Sequence, residues 1–155
     1  IYMDAGDILF EPETGASGTF RISCIYPRES DVHADANEAS LVLQASIDSF
    51  HLLFTGDAGE IAEQQMAETG RLDAVDILKV GHHGSRYATS EAFLQYIKPQ
   101  YAVISCGKKN RYGHPHEETL TRLQAAGAEV YRTDSSGAVI LQIRAGKIML
   151  HGYGG

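Results

Sequence analysis

Three apolar runs in this chain end on side chains that can hold a cation or move a proton. Phe50–Phe54 runs into Thr55-Gly56-Asp57. Val75–Val80 runs into Gly81-His82-His83-Gly84-Ser85. Tyr101–Ser105 is followed by a loop that ends at Gly113-His114-Pro115. A strand end is rigid and can present a side chain in fixed geometry. Neutral imidazole and carboxylate are the usual ligands of zinc and manganese. Carboxylate and imidazole at three strand ends make half of a metallohydrolase site.

Each residue has a functional and a plain reading. Asp57, after a glycine that lets the chain turn sharply, either bridges cations or caps the helix that follows, and the two roles are compatible. Adjacent His82 and His83 point in different directions, so one can ligate while the other orients a substrate or a carboxylate. Strand alternation does not decide which, because the strand ends near Gly81. Lys79 inside an apolar strand is costly unless paired or aimed at a polar site. It either stabilises charge on a phosphoryl oxygen or snorkels to a sheet edge. His114 is a site residue by the company it keeps. His33, His51, His116 and His151 read as surface residues, and His33-Ala34-Asp35-Ala36-Asn37 as loop. Asn37 and Ser40 are expected to line the cleft. Asp134-Ser135-Ser136-Gly137 reads as a turn, and Ser85 lacks the G-x-S-x-G elbow of a serine hydrolase.

The elements that position these residues follow from periodicity. Residues 1–19 read as a short edge piece and a loop around 11–18. Phe20–Tyr26 is a strand stopped by Pro27, and Ser40–Ala45 with Phe50–Phe54 forms a hairpin. Asp57 and Glu60 have capping-box spacing, which predicts a helix from Asp57 to about Thr69 with Gly70 as its stop. Val75–Val80 is a central strand and Ser90–Ile97 a helix. Tyr101–Ser105 is another strand. Pro115 is expected in the first turn of a third helix, closed by Gly127. Strands at Glu129–Arg132, Ala138–Arg144 and Lys147–His151 end the chain, the last two turned by 144–147. The order is β-rich first, then alternating β and α, which predicts an α/β layered fold with a mixed sheet and flanking helices.

Composition limits the function. A chain of 155 residues is one domain by the usual prior and buries roughly 70% of its unfolded surface. Thirteen Lys and Arg against 20 Asp and Glu leave a net charge of −7, the wrong sign for a general polyanion grip. A local exception is Lys108-Lys109-Asn110-Arg111, beside His114. No apolar run approaches the ~20 residues of a membrane span, and no signal peptide is visible. Cys24 and Cys106 read as small buried residues. The chain begins at Ile1 and is expected to be a fragment.

Four motifs recur in this order in one family: Thr55-Gly56-Asp57, Leu78-Lys79-Val80-Gly81-His82-His83-Gly84-Ser85, Asn110-Arg111-Tyr112-Gly113-His114-Pro115 and Thr133-Asp134-Ser135-Ser136-Gly137. Over residues 20–143 the chain resembles the C-terminal metallo-β-lactamase-like domain of ComEC-type DNA internalisation competence proteins. The resemblance implies an αβ/βα sandwich with a dinuclear zinc or manganese cleft that hydrolyses phosphodiesters of DNA. It implies that a bridging Asp57, the His82–His83 pair and His114 are retained at the metal site, without deciding which histidine of the pair ligates; Lys79 is the further catalytic candidate by its place in the strand. It also implies an H-x-H-x-D-H cluster and an opening strand that this sequence lacks. Residues 1–155 are therefore expected to be a single partial domain, the second half, which alone holds metal weakly, hydrolyses little and pairs as a homodimer over its open face. The implied parent is a membrane protein that passes one DNA strand. This domain is then extracytoplasmic and itself makes no membrane contact. A non-catalytic module of the uptake machine and a small-molecule hydrolase of the same superfamily are the alternatives.

Overall fold

A computed structural model describes residues 3–10, 20–31, 35–70 and 72–154. The expected loop over 11–18, and His33, lie outside the described residues. Seven strands form one sheet in sequence order: β1 (Ile8–Phe10), β2 (Phe20–Tyr26), β3 (Val42–Ile47), β4 (Phe50–Phe54), β5 (Ile77–Lys79), β6 (Tyr101–Ile104) and β7 (Glu129–Arg132). Strands β1 to β4 pair antiparallel, and β4 to β7 pair parallel. The chain is α/β with a mixed sheet, as the alternation of elements predicts.

Between the parallel strands run α1 (Glu60–Glu68), α2 (Glu91–Ile97) and α3 (Glu117–Ala125). Right-handed crossovers between strands taken in order place every crossover helix on the same face. The buried residues agree. Leu53, Leu78, Ala102 and Ile104 of the sheet share a core with Met66, Phe93, Leu94, Ile97 and Leu123 of the helices. Strand alternation sends Leu52 and Ile77 to the opposite face. There they meet Leu141, Ile148 and Leu150 of a hairpin made by β8 (Gly137–Arg144) and β9 (Lys147–Gly154). Its two-residue turn, Ala145-Gly146, has positive φ at both positions (49° and 70°), the twist that suits a tight hairpin. A single helical turn, α4 (Thr133–Ser136), links β7 to this hairpin. The hairpin leaves Phe54 of this face 43% exposed.

Two expectations about helix starts are corrected. Helix α1 begins at Glu60 with Gly59 as its N-cap, and no side chain of its own segment caps it. The cap comes from Glu38, whose carboxylate accepts the Ala62 N–H at 2.7 Å. Pro115 is not in the first turn of α3, because His116 is the N-cap and the helix begins at Glu117. Pro115 packs instead against Gly84, 31 residues earlier in the chain.

Helix α1 also carries a buried carboxylate. Glu63 accepts the backbone N–H groups of Thr89 and Ser90 and so joins α1 to the start of α2. Burial, with a smaller push from Glu60, raises its carboxyl from the usual 4.5 to about 7, against the opposing bonds from Ser90 and Thr89. The folded state therefore holds this proton more tightly than the unfolded chain. Its contribution to stability is complete below about pH 4.5 and is lost as the pH rises through about 7. Melting curves between pH 4.5 and 8 are expected to fall more steeply for the wild type than for Glu63→Gln. Parallel curves would show that the Glu63 proton is not held by the fold.

Candidate functional site at the carboxyl edge of the parallel strands

The candidate residues come together where β4, β5 and β6 end, the usual place for a site in a sheet with parallel strands. After β4 the chain turns through Gly56, and after β5 it turns through Gly81–Gly84. The two turns interlock. His82 N–H donates to the Gly56 carbonyl at 2.9 Å, and the Thr55 hydroxyl donates to the Lys79 carbonyl at 3.2 Å. His82 and His83 both have left-handed backbone, with φ of 45° and 56°. That costs about 1–2 kcal/mol for each non-glycine residue. Such a conformation persists only where neighbours over-determine it, and it concentrates at functional sites.

The imidazoles form one cluster. Ring centroids lie 5.6 Å apart for His82–His114, 6.5 Å for His82–His83 and 6.4 Å for His83–His114. His83 Nδ1–H donates to the Ser105 carbonyl at 2.7 Å. In the neutral ring that bond selects the tautomer whose acceptor is Nε2. His114 is held through its backbone by Asn110, whose side chain accepts its N–H at 2.8 Å and donates to its carbonyl at 2.6 Å. This is the physical reason for Asn and His four residues apart in the third motif. Burial holds His114 below the usual imidazole range, and the neighbouring His116, His82 and His83 add to the effect while Asp57 opposes it.

Asp57 is half-buried, and its backbone N–H donates to the Ser40 hydroxyl at 3.1 Å. With Gly59 and Glu38 serving the helix, its carboxylate has no capping duty. Its charge acts on both Lys79 and His114. Lys79 shares the hairpin face with Ile77 and is half-buried, its ammonium donating to the Val80 carbonyl at 3.0 Å. Burial lowers its pKa, and the Asp57 charge partly restores it.

Three residues that hold the candidate site in place, His116, Thr119 and Arg122, lie outside the four motifs. His116, expected on the surface, stands 4.8 Å from the His114 ring and accepts the Arg86 N–H at 3.1 Å. Further along α3, the Thr119 hydroxyl donates to the Ser85 carbonyl. Arg122 donates to the carbonyls of Thr89, Ala88 and Arg86 at 2.9, 2.9 and 3.0 Å. One face of α3 thus staples the loop that follows the His82–His83 turn. Thr133 does the same for the next strand end, bonding both the Cys106 N–H and the Cys106 carbonyl. Asp134, beside it, is paired with Arg132 at 2.7 Å, and the bonds from Arg132 hold its carboxyl below the usual range. Arg122→Ala is expected to cost about 3 kcal/mol, since it orphans carbonyls held by a charged donor. Arg122→Lys recovers only part, because an ammonium lacks the planar fork. Urea unfolding of the two variants checks this, and an unchanged midpoint in Arg122→Ala would contradict it.

Imidazole and carboxylate suit a divalent cation in chemistry. In placement they are incomplete: among the described residues no group of three or more His, Cys, Asp or Glu side chains stands where it could hold one metal ion.

The fold is α/β with the candidate residues at the carboxyl ends of parallel strands, and the chain is similar to proteins of competence and recombination. The chain is 42% identical over 106 residues to ComE operon protein 3 of Bacillus subtilis, covering 68% of this chain and 14% of that protein. It is 39% identical over 107 residues to Competence protein ComA of Neisseria gonorrhoeae, covering 68% of this chain and 15% of that one. It is 39% identical over 103 residues to Recombination protein 2 of Haemophilus influenzae, covering 66% and 13% respectively. The matched segment is thus a small part of each of these longer proteins. No protein-family model matches the chain. No helix among the described residues is long and apolar enough to cross a membrane.

Proposed function

We propose that this chain is one side of the cleft of a metal-dependent phosphodiesterase of the metallo-β-lactamase-like type, cutting DNA during competence-related uptake. The observation that carries the reading is the joining of Asp57, His82, His83 and His114, with Lys79, at three neighbouring strand ends, on turns locked to one another. His83 offers the Nε2 lone pair of its neutral ring, His114 is biased towards the neutral imidazole, and Asp57 supplies negative charge. Lys79 supplies positive charge where a phosphoryl oxygen gains electrons. The ligands still needed for zinc or manganese come, in this reading, from polypeptide outside residues 1–155. The site works within a longer membrane-anchored protein and on its extracytoplasmic side. Similarity to Competence protein ComA supports the DNA-uptake setting.

Calorimetric titration with manganese or zinc tests the division of ligands. This chain alone is expected to bind weakly, and the longer protein tightly and with fixed stoichiometry. Tight stoichiometric binding by residues 1–155 alone would contradict the incomplete set. The β8–β9 hairpin packs on the sheet face opposite the helices, so the pairing of two copies is proposed over the surface it leaves exposed around Phe54, and a strictly monomeric chain by light scattering at high concentration would contradict it.

A further inference from the structure

The loop between β6 and α3 is unlike the rest of the surface. It carries Lys108, Lys109 and Arg111, and no acidic residue stands between Ser105 and His116 in a chain whose net charge is −7. Among the described residues the ion pairs are Arg86–Glu118 and Arg132–Asp134, and none of the three loop cations is in either. At the loop's tip Tyr112 is 62% exposed. Its ring lies nearly parallel to that of His114, at 5.7 Å and 23°. The Arg111 guanidinium covers the ring at 4.8 Å and donates to its hydroxyl at 2.6 Å. Behind the ring is a cavity of about 330 Å³, bordered by His83, Ser105, Asn110, Tyr112 and His114. That is at the small end of ligand pockets, which span roughly 300–1,000 Å³.

An exposed aromatic ring among cations that have no acidic partner is the arrangement by which proteins hold unpaired nucleotides. Every base has a face that stacks, and the cations follow the phosphates. A base inside a duplex has no free face to offer. We propose that the 107–114 loop is a subsite for one nucleotide of a single strand, with its base stacked on Tyr112 and its flanking phosphates on Lys108, Lys109 and Arg111. Arg111 leaves the ring for a phosphate as the base takes its place. The cavity then sets that nucleotide beside His83 and His114. Tyr112 makes the site prefer single-stranded over duplex nucleic acid. The inference rests on the phosphodiesterase reading for its biological sense, and it names the form of the strand that the site accepts.

Fluorescence anisotropy with a labelled single-stranded oligonucleotide and a blunt duplex of the same sequence tests it, at low salt and in EDTA so that no cleavage occurs. The wild-type chain is expected to bind the single strand more tightly than the duplex. Tyr112→Ala should weaken the single strand by about tenfold or more, the size of one base stack, and leave the duplex unchanged. Tyr112→Phe should keep the wild-type affinity. Replacing Lys108, Lys109 and Arg111 together by Ala should weaken both ligands and flatten the dependence of log affinity on log salt, by about 0.7 for each single-strand phosphate that is no longer neutralised. Equal affinity for the two ligands, no binding by the wild type, or an unchanged single-strand affinity in Tyr112→Ala would each overturn the inference. None of these outcomes bears on cleavage, which is measured separately in the longer protein. Absence of cleavage there would overturn the phosphodiesterase reading and leave the binding result standing.

Discussion

Asp57→Ala is expected to lower phosphodiester hydrolysis by about 10³-fold in the longer protein, the scale on which loss of a preorganised charge in a reaction site is felt. The melting temperature should move by no more than about 2 °C. The pairing of a large kinetic loss with a small thermal one follows from what surrounds the residue. If Asp57 held the start of α1, its loss would cost stability of about 1 kcal/mol and little activity. Glu38 holds that helix end instead, through the Ala62 N–H. The fixed part of Asp57 is its backbone, bonded to Ser40, and alanine keeps that bond. What alanine removes is the negative charge felt by Lys79 and His114. Initial rates and melting curves on the same preparations decide the matter. A variant with full rate and a lowered melting temperature would return Asp57 to a purely structural role.

Gly84→Ala should damage both the fold around the site and the placing of its histidines. Gly84 has a φ of +85°, and an added Cβ would stand 2.6 Å from the Cβ and 3.1 Å from the Cα of Pro115. The backbone at this point also ties the two motifs together, since the Gly84 carbonyl accepts the His116 N–H at 2.9 Å. An alanine must therefore push the His82–His83 turn away from the His114–Pro115 segment. The expected cost is about 3 kcal/mol, from backbone strain plus overpacking, and hydrolysis should fall with it because His83 and His114 move apart. Gly70→Ala is the control. Gly70 has a φ of +63° but nothing within 4 Å of the added atom, so only the conformational part, about 1 kcal/mol, should appear. Equal losses in the two variants, by chemical denaturation, would show that the packing of Gly84 on Pro115 contributes nothing.

The framework is legible in the sequence because it is written in local patterns. Apolar runs ending in Gly-Asp, Gly-His-His and Gly-His-Pro place strand ends and polar side chains together, and the structure brings His82, His83 and His114 into one cluster. The α/β class follows from the alternation of short apolar runs with helical spacing. The departures lie where partners are far apart in sequence. Asp57 and Glu60 match a capping box in spacing, yet the cap reaches α1 from Glu38, 24 residues before Ala62. Pro115 suits a first helical turn, yet it packs on Gly84. His116 carries no motif of its own and enters the site only because α3 starts beside the 85–89 loop. Arg122 and Glu63 bond backbone 33 and 26 residues away at Thr89. A lone arginine or glutamate on a helix reads as solvent-facing until the chain is folded. Sequence leaves Lys79 open between site and snorkel, and the structure puts it half-buried within reach of the Asp57 charge.

Cleavage of an end-labelled DNA strand by the longer protein that carries this segment is the most direct test of the central claim. Wild type, Asp57→Ala and His83→Ala would be compared with manganese present and again after chelation. The expected result is cleavage by the wild type with metal, none after chelation, and a loss of about 10³-fold in each variant. A folded wild-type protein that leaves the strand intact, or variants that cut it as fast as the wild type does, would contradict the claim that this edge of the sheet performs phosphodiester hydrolysis.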